Sequence, residues 1–364
     1  MNKRVKSCIL ATALLLMMDG CSIMRSDDPN APIHIVSQPA TNLNLTISTP
    51  PLKIGVLIYR FDDTFMTEVR NSILAAVDGD VIVEFADSRN SQSTQNHQID
   101  KFVKEKVDAL AINPVDRTAA AAMITKAKEA NIPVVFFNRE PVADAMRKWD
   151  KVYYVGAKAE QSGTMSGQLI VDYFKSHPEA DKNKDNVLQY VMLKGEPGHQ
   201  DAELRTKFAI KAVEDADIKV EKLAEDTGMW ERSKGEAKMS AFLAECGDRI
   251  EAVFANNDDM ALGAIDALKE KGFITGDRFI PVVGVNGTAS AMKAMEDGAL
   301  LGTVLNDAVN QGKATYAVAH SLASGQIPDQ TNIGYEMADG LYVWIPYKKI
   351  TKGNRSTNLS NSIR

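Results

Sequence analysis

A strand–helix alternation starts at Lys53 and continues past residue 305, and it restricts this chain to very few folds. Short runs rich in Val, Ile, Ala and Phe read as strands at 54–59, 81–86, 109–112, 133–137, 152–155, 188–193, 220–224, 252–255, 281–285 and 302–305. Amphipathic stretches between them, such as 66–77, 119–130, 162–174, 261–271 and 311–322, read as helices. A chain patterned this way buries its strands as parallel sheets with helices on both faces. Ten strands suit two sheets better than one, and the break falls near Gly156. The expected fold is α/β with two Rossmann-like lobes. Residues 332–347 alternate apolar and polar and read as late strands.

Composition removes several function classes. At 364 residues with 45% apolar and 25% charged content, the chain has the material for two ordinary globular domains. A net charge of −6 argues against a nucleic-acid partner, which needs a basic face. Of the three cysteines only Cys246 lies in the body, so no disulfide framework or cysteine metal site is available there. The N-terminus reads as a targeting segment: Lys3, Arg4 and Lys6 precede an apolar core from Cys8 to Met18, too short to span a bilayer. It ends in Met17-Met-Asp-Gly-Cys21, which resembles a bacterial lipoprotein cleavage box with Cys21 as the lipidated residue; an ordinary signal peptide cut further on is the alternative. Either places the mature protein outside the cytoplasm, in the periplasm or at the cell surface. Residues 22–51, with five prolines among polar residues, read as a flexible tether. Residues 353–364 read as a polar tail.

Function in open α/β sheets is carried at the carboxyl ends of the strands. Polar residues gather there. Tyr59, Asp63 and Phe65 follow the first strand, and Asn138 follows the run at 133–137. The turn Lys194-Gly-Glu-Pro-Gly-His199 opens a helix carrying Asp201 and Arg205, four apart and so on one face. Trp230, Asn257, Asn286 and Asn306 follow later strands. Any one of these Asn or Asp residues could be a helix cap, and capping is the preferred reading for Asp258, Asp259 and Asp307. Together they form a set dominated by neutral amides, with two carboxylates, one His, one Arg and at least two aromatic rings. Sugar hydroxyls donate and accept at once, and a pyranose presents an apolar face to an aromatic ring. No phosphate-binding glycine loop follows any strand, which disfavours nucleotides.

The motifs Tyr59-x3-Asp63-x-Phe65, Val-Val-Phe-Phe-Asn138-Arg-Glu-Pro, Lys-Gly-Glu-Pro-Gly-His199-x-Asp201-x3-Arg205, Met-Trp230, Ala-Asn-Asn257-Asp, Gly-Val-Asn286 and Gly-Thr-Val-Leu-Asn306-Asp closely resemble the periplasmic galactose/glucose-binding proteins of bacterial ABC transporters. The similarity covers residues 53–347. It implies two lobes joined by a three-strand hinge, with crossings near Gly156, before Asn306 and near Trp344. The first lobe would then hold 52–156 and 306–343, the second 157–305 and 344–352. By the same resemblance a hexose stacks between Phe65 and Trp230, and Asp63, Asn138, His199, Asp201, Arg205, Asn257, Asn286 and Asn306 bond its hydroxyls and ring oxygen. Tyr59 flanks the site. The family carries Asp at the position of Asn286. The implied partners are a monosaccharide and a membrane permease, with a chemoreceptor left open and a monomer as the expected state.

A second constellation concerns metal. Asp181, Asn183, Asp185 and Gln189 stand at positions 1, 3, 5 and 9 of a loop with the spacing of an EF-hand, and Val187 at position 7 offers a carbonyl. Asn186 replaces the usual Gly and position 12 is Met192, so a polar surface turn is an equal reading of the bare motif. The resembled family completes such a loop with a distant Glu, matched here by Glu251, which implies a structural Ca2+. Against the binding-protein reading stands a glycosidase using Asp63 and Asp201; Arg205 is expected to keep Asp201 ionised, leaving no general acid. A receptor of the same fold for ribose, xylose or an autoinducer is the other alternative.

Overall fold

The computed structural model describes residues 33–36, 50–274 and 276–354, and Cys21, most of the tether and the polar tail lie outside the described residues. In the first lobe the chain runs β1 (Ile33–Val36), β2 (Leu52–Ile58), α1 (Thr64–Ala76), β3 (Val81–Asp87), α2 (Gln92–Glu105), β4 (Ala109–Ile112), α3 (Ala120–Glu129), β5 (Val134–Phe137), α4 (Ala143–Met146) and β6 (Val152–Gly156). The second continues with α5 (Ala159–Ser176), β7 (Val187–Lys194), α6 (Gln200–Glu214), β8 (Lys219–Thr227), α7 (Arg232–Cys246), β9 (Ala252–Ala255), α8 (Asp258–Glu270), β10 (Val282–Asn286), α9 (Ala289–Glu296) and β11 (Gly302–Leu305). Then come α10 (Ala308–Ala323), α11 (Gln330–Ile333), β12 (Tyr342–Trp344) and β13 (Lys348–Thr351).

Two sheets result, ordered β1-β3-β2-β4-β5-β6-β12 and β13-β11-β10-β9-β7-β8. Strands β4, β5, β6, β9 and β10 are buried along their whole length, as parallel strands covered on both faces must be. The exposed edge strand β8 carries Lys219, Glu221, Lys222 and Glu225, charges that discourage pairing with another chain. The chain passes from the first sheet to the second after Gly156, returns after Leu305 to lay α10 against α1, and crosses again between β12 and β13.

Three expectations need correcting. Ile33–Val36, read as part of a free tether, pairs antiparallel with β3 and extends the first sheet. Trp344, assigned to the second lobe, pairs in parallel with Gly156 in the first sheet, so the last crossing lies at 345–347. The region 332–347 is mostly not strand: Asn332 and Ile333 end a short helix capped by Asp329, and only Tyr342–Trp344 joins the sheet. There the polar alternation of Asn332 served a capping box instead of a pleat.

Candidate sugar-binding cleft

Each expected site residue occupies a strand's carboxyl end or the helix that follows it. Asp63 caps α1, accepting from the Met66 amide at 2.7 Å and from the Tyr59 hydroxyl at 2.7 Å. Phe65 sits in the first turn of α1. Asn138 follows β5 with φ of 61°, a left-handed conformation that Asn tolerates. The Tyr154 hydroxyl donates to the Asn138 carbonyl at 2.8 Å, and Asn113 Nδ2 donates to Asn138 Oδ1 at 3.2 Å. Those contacts leave Asn138 Nδ2 as the donor available to a ligand.

The second lobe contributes through the ends of β7, β8, β9, β10 and β11. His199 caps α6, its Nδ1 accepting from the Asp201 amide at 3.1 Å. An accepting Nδ1 places the ring proton on Nε2, where it can be donated. Arg205 reaches Asp201 Oδ2 at 3.1 Å, the Tyr347 hydroxyl at 3.1 Å and the Asn256 carbonyl at 2.9 Å, while its buried Nε has no protein partner among the described residues. Helix α6 is brought close by glycines on α5: a Cβ at Gly163 or Gly167 would strike the backbone of Arg205 or Ala209. Trp230 ends its turn at φ of 68°, edge-on to His199 with ring centres 5.0 Å apart. Any side chain at Gly195 would collide with the Trp230 ring. Asn286 has φ of 132°, a strained position for a non-glycine residue and one of the kind concentrated at functional sites.

All eleven expected residues, Tyr59, Asp63, Phe65, Asn138, His199, Asp201, Arg205, Trp230, Asn257, Asn286 and Asn306, wall a single cavity between the lobes. Phe65 closes it from the first lobe and Trp230 from the second. Donors and acceptors are mixed in this space. His199 Nε2, Asn138 Nδ2 and Arg205 Nε can donate, the carboxylates of Asp63 and Asp201 accept, and Asn286 does either.

The profile of the periplasmic binding protein domain family matches residues 54–327. The chain is 43% identical over 305 residues to the D-galactose/methyl-galactoside binding periplasmic protein MglB of Haemophilus influenzae, covering 83% of this chain and 90% of that protein. It is 30% identical to the xylitol-binding protein of Mycolicibacterium smegmatis, over 75% of this chain and 73% of the relative. Among solved structures, an ABC transporter solute binding protein from Bacillus halodurans with bound myo-inositol superposes with a TM-score of 0.73 at 30% identity, covering 86% of this chain and 99% of that one. The chain belongs to the periplasmic binding protein family. Members of this family are extracytoplasmic components of transport rather than enzymes, which removes the glycosidase alternative. Among the described residues, no helix is long and apolar enough to cross a membrane.

Within this binding protein the polar layer differs from the sequence reading in several places. Burial, the largest influence, pushes the Asp201 carboxyl up, and Arg205 and Arg139 oppose that rise. Burial, reinforced by Arg139 and Arg205, holds His199 well below the usual imidazole range and keeps it neutral, in agreement with its accepting Nδ1. Asp258, read as a cap, instead accepts from Thr303 Oγ1 at 2.6 Å and the Thr288 amide at 2.8 Å, tying the first turn of α8 to β11 and to the start of α9; burial pushes it up to about 6. Asn257 is the cap of α8 and also donates to the Trp230 carbonyl at 3.1 Å, so both its polar atoms already serve the protein. Asp307 caps α10 as expected.

Sequence reasoning missed Met66 and Arg139, which also line the cavity. It also passed over Asn113, a buried residue that follows β4 and bonds both the Tyr59 amide and Asn138. Asn113 carried the same strand-end signal as its neighbours. Arg139 stood beside Asn138 in a quoted motif.

The loop at 181–189 lies away from this cleft. Asp181 accepts the amides of Asp185 and Asn186, Asp185 accepts that of Val187, and Lys184 and Asn186 take left-handed conformations. Glu251, 2% exposed, accepts the amides of Lys182 at 2.6 Å and Gln189 at 3.0 Å. Gln189 Nε2 donates to Asp185, while its buried Oε1 has no partner among the described residues. Among those residues no group of three or more His, Cys, Asp or Glu side chains is gathered tightly enough to hold a metal alone. Any ion here must also draw on amide and carbonyl oxygens.

Proposed function

We propose that this protein binds a pyranose monosaccharide, D-galactose or D-glucose, between its lobes and delivers it to an ABC permease in the membrane. One observation carries the reading: two aromatic walls from opposite lobes enclose a space whose donors and acceptors are interleaved, as ring hydroxyls require. The printed ligand of the Haemophilus relative supports the same class. A phosphorylated or carboxylate sugar would need more cations than Arg205 and Arg139. Calorimetric titration of the protein lacking residues 1–21 with glucose, galactose, xylose, ribose and myo-inositol tests the proposal. Saturable heat with a hexose and little with ribose supports it; myo-inositol or ribose as the tightest ligand overturns it. Attachment to the membrane through a lipid on Cys21 belongs to the same reading, and mass spectrometry of the membrane-extracted protein would detect it.

The loop at 181–189 is proposed to hold one structural Ca2+ through Asp181, Asn183, Asp185, Gln189, Glu251 and the Val187 carbonyl. The unpartnered Gln189 oxygen and the buried Glu251 carboxylate support this. Turning the Asn183 amide, now donating to Asp185, would present one more oxygen. The ion would tie the loop to the start of β9.

A further inference from the structure

Beyond the residues that face the sugar, the mouth of the cleft carries side chains that touch only when the lobes are together. Arg60 meets Glu231 at 3.3 Å, Glu140 accepts from Gln200 at 3.0 Å, and Arg139 meets Glu196 at 2.8 Å. These contacts are unequal. Arg60 is shared with Asp62 and Asp63, and Lys234 competes for Glu231 at 3.0 Å, so that pair resembles the exposed bridges that contribute little.

Arg139 is different. It is 5% exposed, its guanidinium lies 3.8 Å from the centre of the Tyr59 ring, and its Nη1 donates to the Val115 carbonyl at 2.7 Å. Both contacts lie within the first lobe, so the fork is held in place before the second lobe arrives. Its Nη2 then meets Glu196, in the turn between β7 and α6 that also carries His199. Arg139 lines the cavity, and its neighbour Asn138 faces the same space.

We propose that Arg139 is the positioning residue that couples sugar occupancy to lobe closure, with Glu196 as its counterpart on the second lobe. The proposal rests on the sugar-binding reading above. A preordered cation lowers the entropy cost of forming the cross-lobe pair, and a pair formed only in the closed state raises that state's population. Apparent affinity scales with the fraction of protein in the binding-competent closed state, and loss of a buried, hydrogen-bonded charge pair shows chiefly in release.

Stopped-flow binding of the hexose provides the test. Glu196→Ala should raise the dissociation rate about ten-fold while leaving association within about two-fold. Glu196→Gln, which keeps an acceptor oxygen, should fall between. In an Arg139→Ala background Glu196→Ala should add nothing, since a contact already lost cannot be lost again. Glu231→Ala should change release less than Glu196→Ala. Unchanged release in Glu196→Ala, or an equal effect with and without Arg139, overturns the coupling while hexose binding stands. A wild-type protein that binds no hexose overturns the functional reading and this one with it.

Discussion

The interlobe cleft and the loop at 181–189 both draw on Asp and Asn side chains, yet they are assembled in opposite ways. In the loop, all but one of the oxygen side chains come from nine consecutive residues, and backbone amides of the same residues orient them. In the cleft, the residues come from strand ends spread over both lobes, and several polar groups are held by partners distant in sequence, such as Asn113 for Asn138 and Tyr347 for Arg205. A local constellation tolerates change elsewhere in the fold. A distributed one is as precise as the packing of both lobes.

The largest test of that contrast is removal of an aromatic wall. Trp230→Ala should weaken hexose binding by about 2–4 kcal/mol, the usual cost of truncating a buried aromatic anchor, and tryptophan fluorescence should lose its ligand response. Unchanged affinity would remove Trp230 from the site and leave the two-walled cleft without support.

The loop should respond independently. At calcium a hundred-fold above its dissociation constant, stabilisation of about 2.7 kcal/mol is expected, read as a rise in melting temperature. Glu251→Ala should abolish that rise and leave hexose affinity nearly intact. A chelator without effect on the wild-type melting temperature would make the loop a turn, and a joint loss of sugar binding would show that the two regions are not separate.

Asn286 sharpens the comparison inside the cleft. Its side chain has no hydrogen-bond partner in the protein among the described residues, so a ligand hydroxyl is free to use it. Asn286→Asp should strengthen binding about ten-fold, roughly 1.4 kcal/mol, by making one bond charge-assisted. Titration with deoxy sugars would identify the hydroxyl, and no change with any sugar would turn residue 286 away from the ligand.

The smallest effect is on pH dependence. A folded-state pKa held below the unfolded value means that His199 contributes stability above about pH 6.5, lost as pH falls. Asp258 has the opposite sign: raised to about 6, it makes the fold less stable as pH rises from about 3.9 through 6, and it returns part of that stability as the solution is acidified from about pH 8 to pH 6. The two act in opposite directions in wild type. His199→Gln should therefore be the more acid-stable protein in relative terms, its stability rising slightly from pH 8 to pH 6. A profile parallel to wild type would mean that His199 titrates alike in the folded and unfolded chain, and would overturn the lowered pKa.

What the sequence determined by itself is what local patterning can encode. Strand and helix periodicity placed the alternation, because burying one face needs apolar residues at fixed spacing within a single element. Strand-end polar residues exposed the cleft, because a parallel α/β sheet leaves its carboxyl ends open to ligand. Spacing within 181–189 exposed the loop. Tertiary structure alone decided the rest. Ile33–Val36 gained a strand partner at Phe85–Ile82 that nothing in its own composition announces. Trp344 went to the first sheet through its pairing with Gly156, and Asp258 was withdrawn from capping by Thr303 from another strand. Arg139 acquired its role only when Tyr59, Val115 and Glu196 closed around it. Each of these outcomes depends on which groups lie within hydrogen-bond reach after two sheets have packed, and that depends on summed contacts across the fold, not on the few residues at either side.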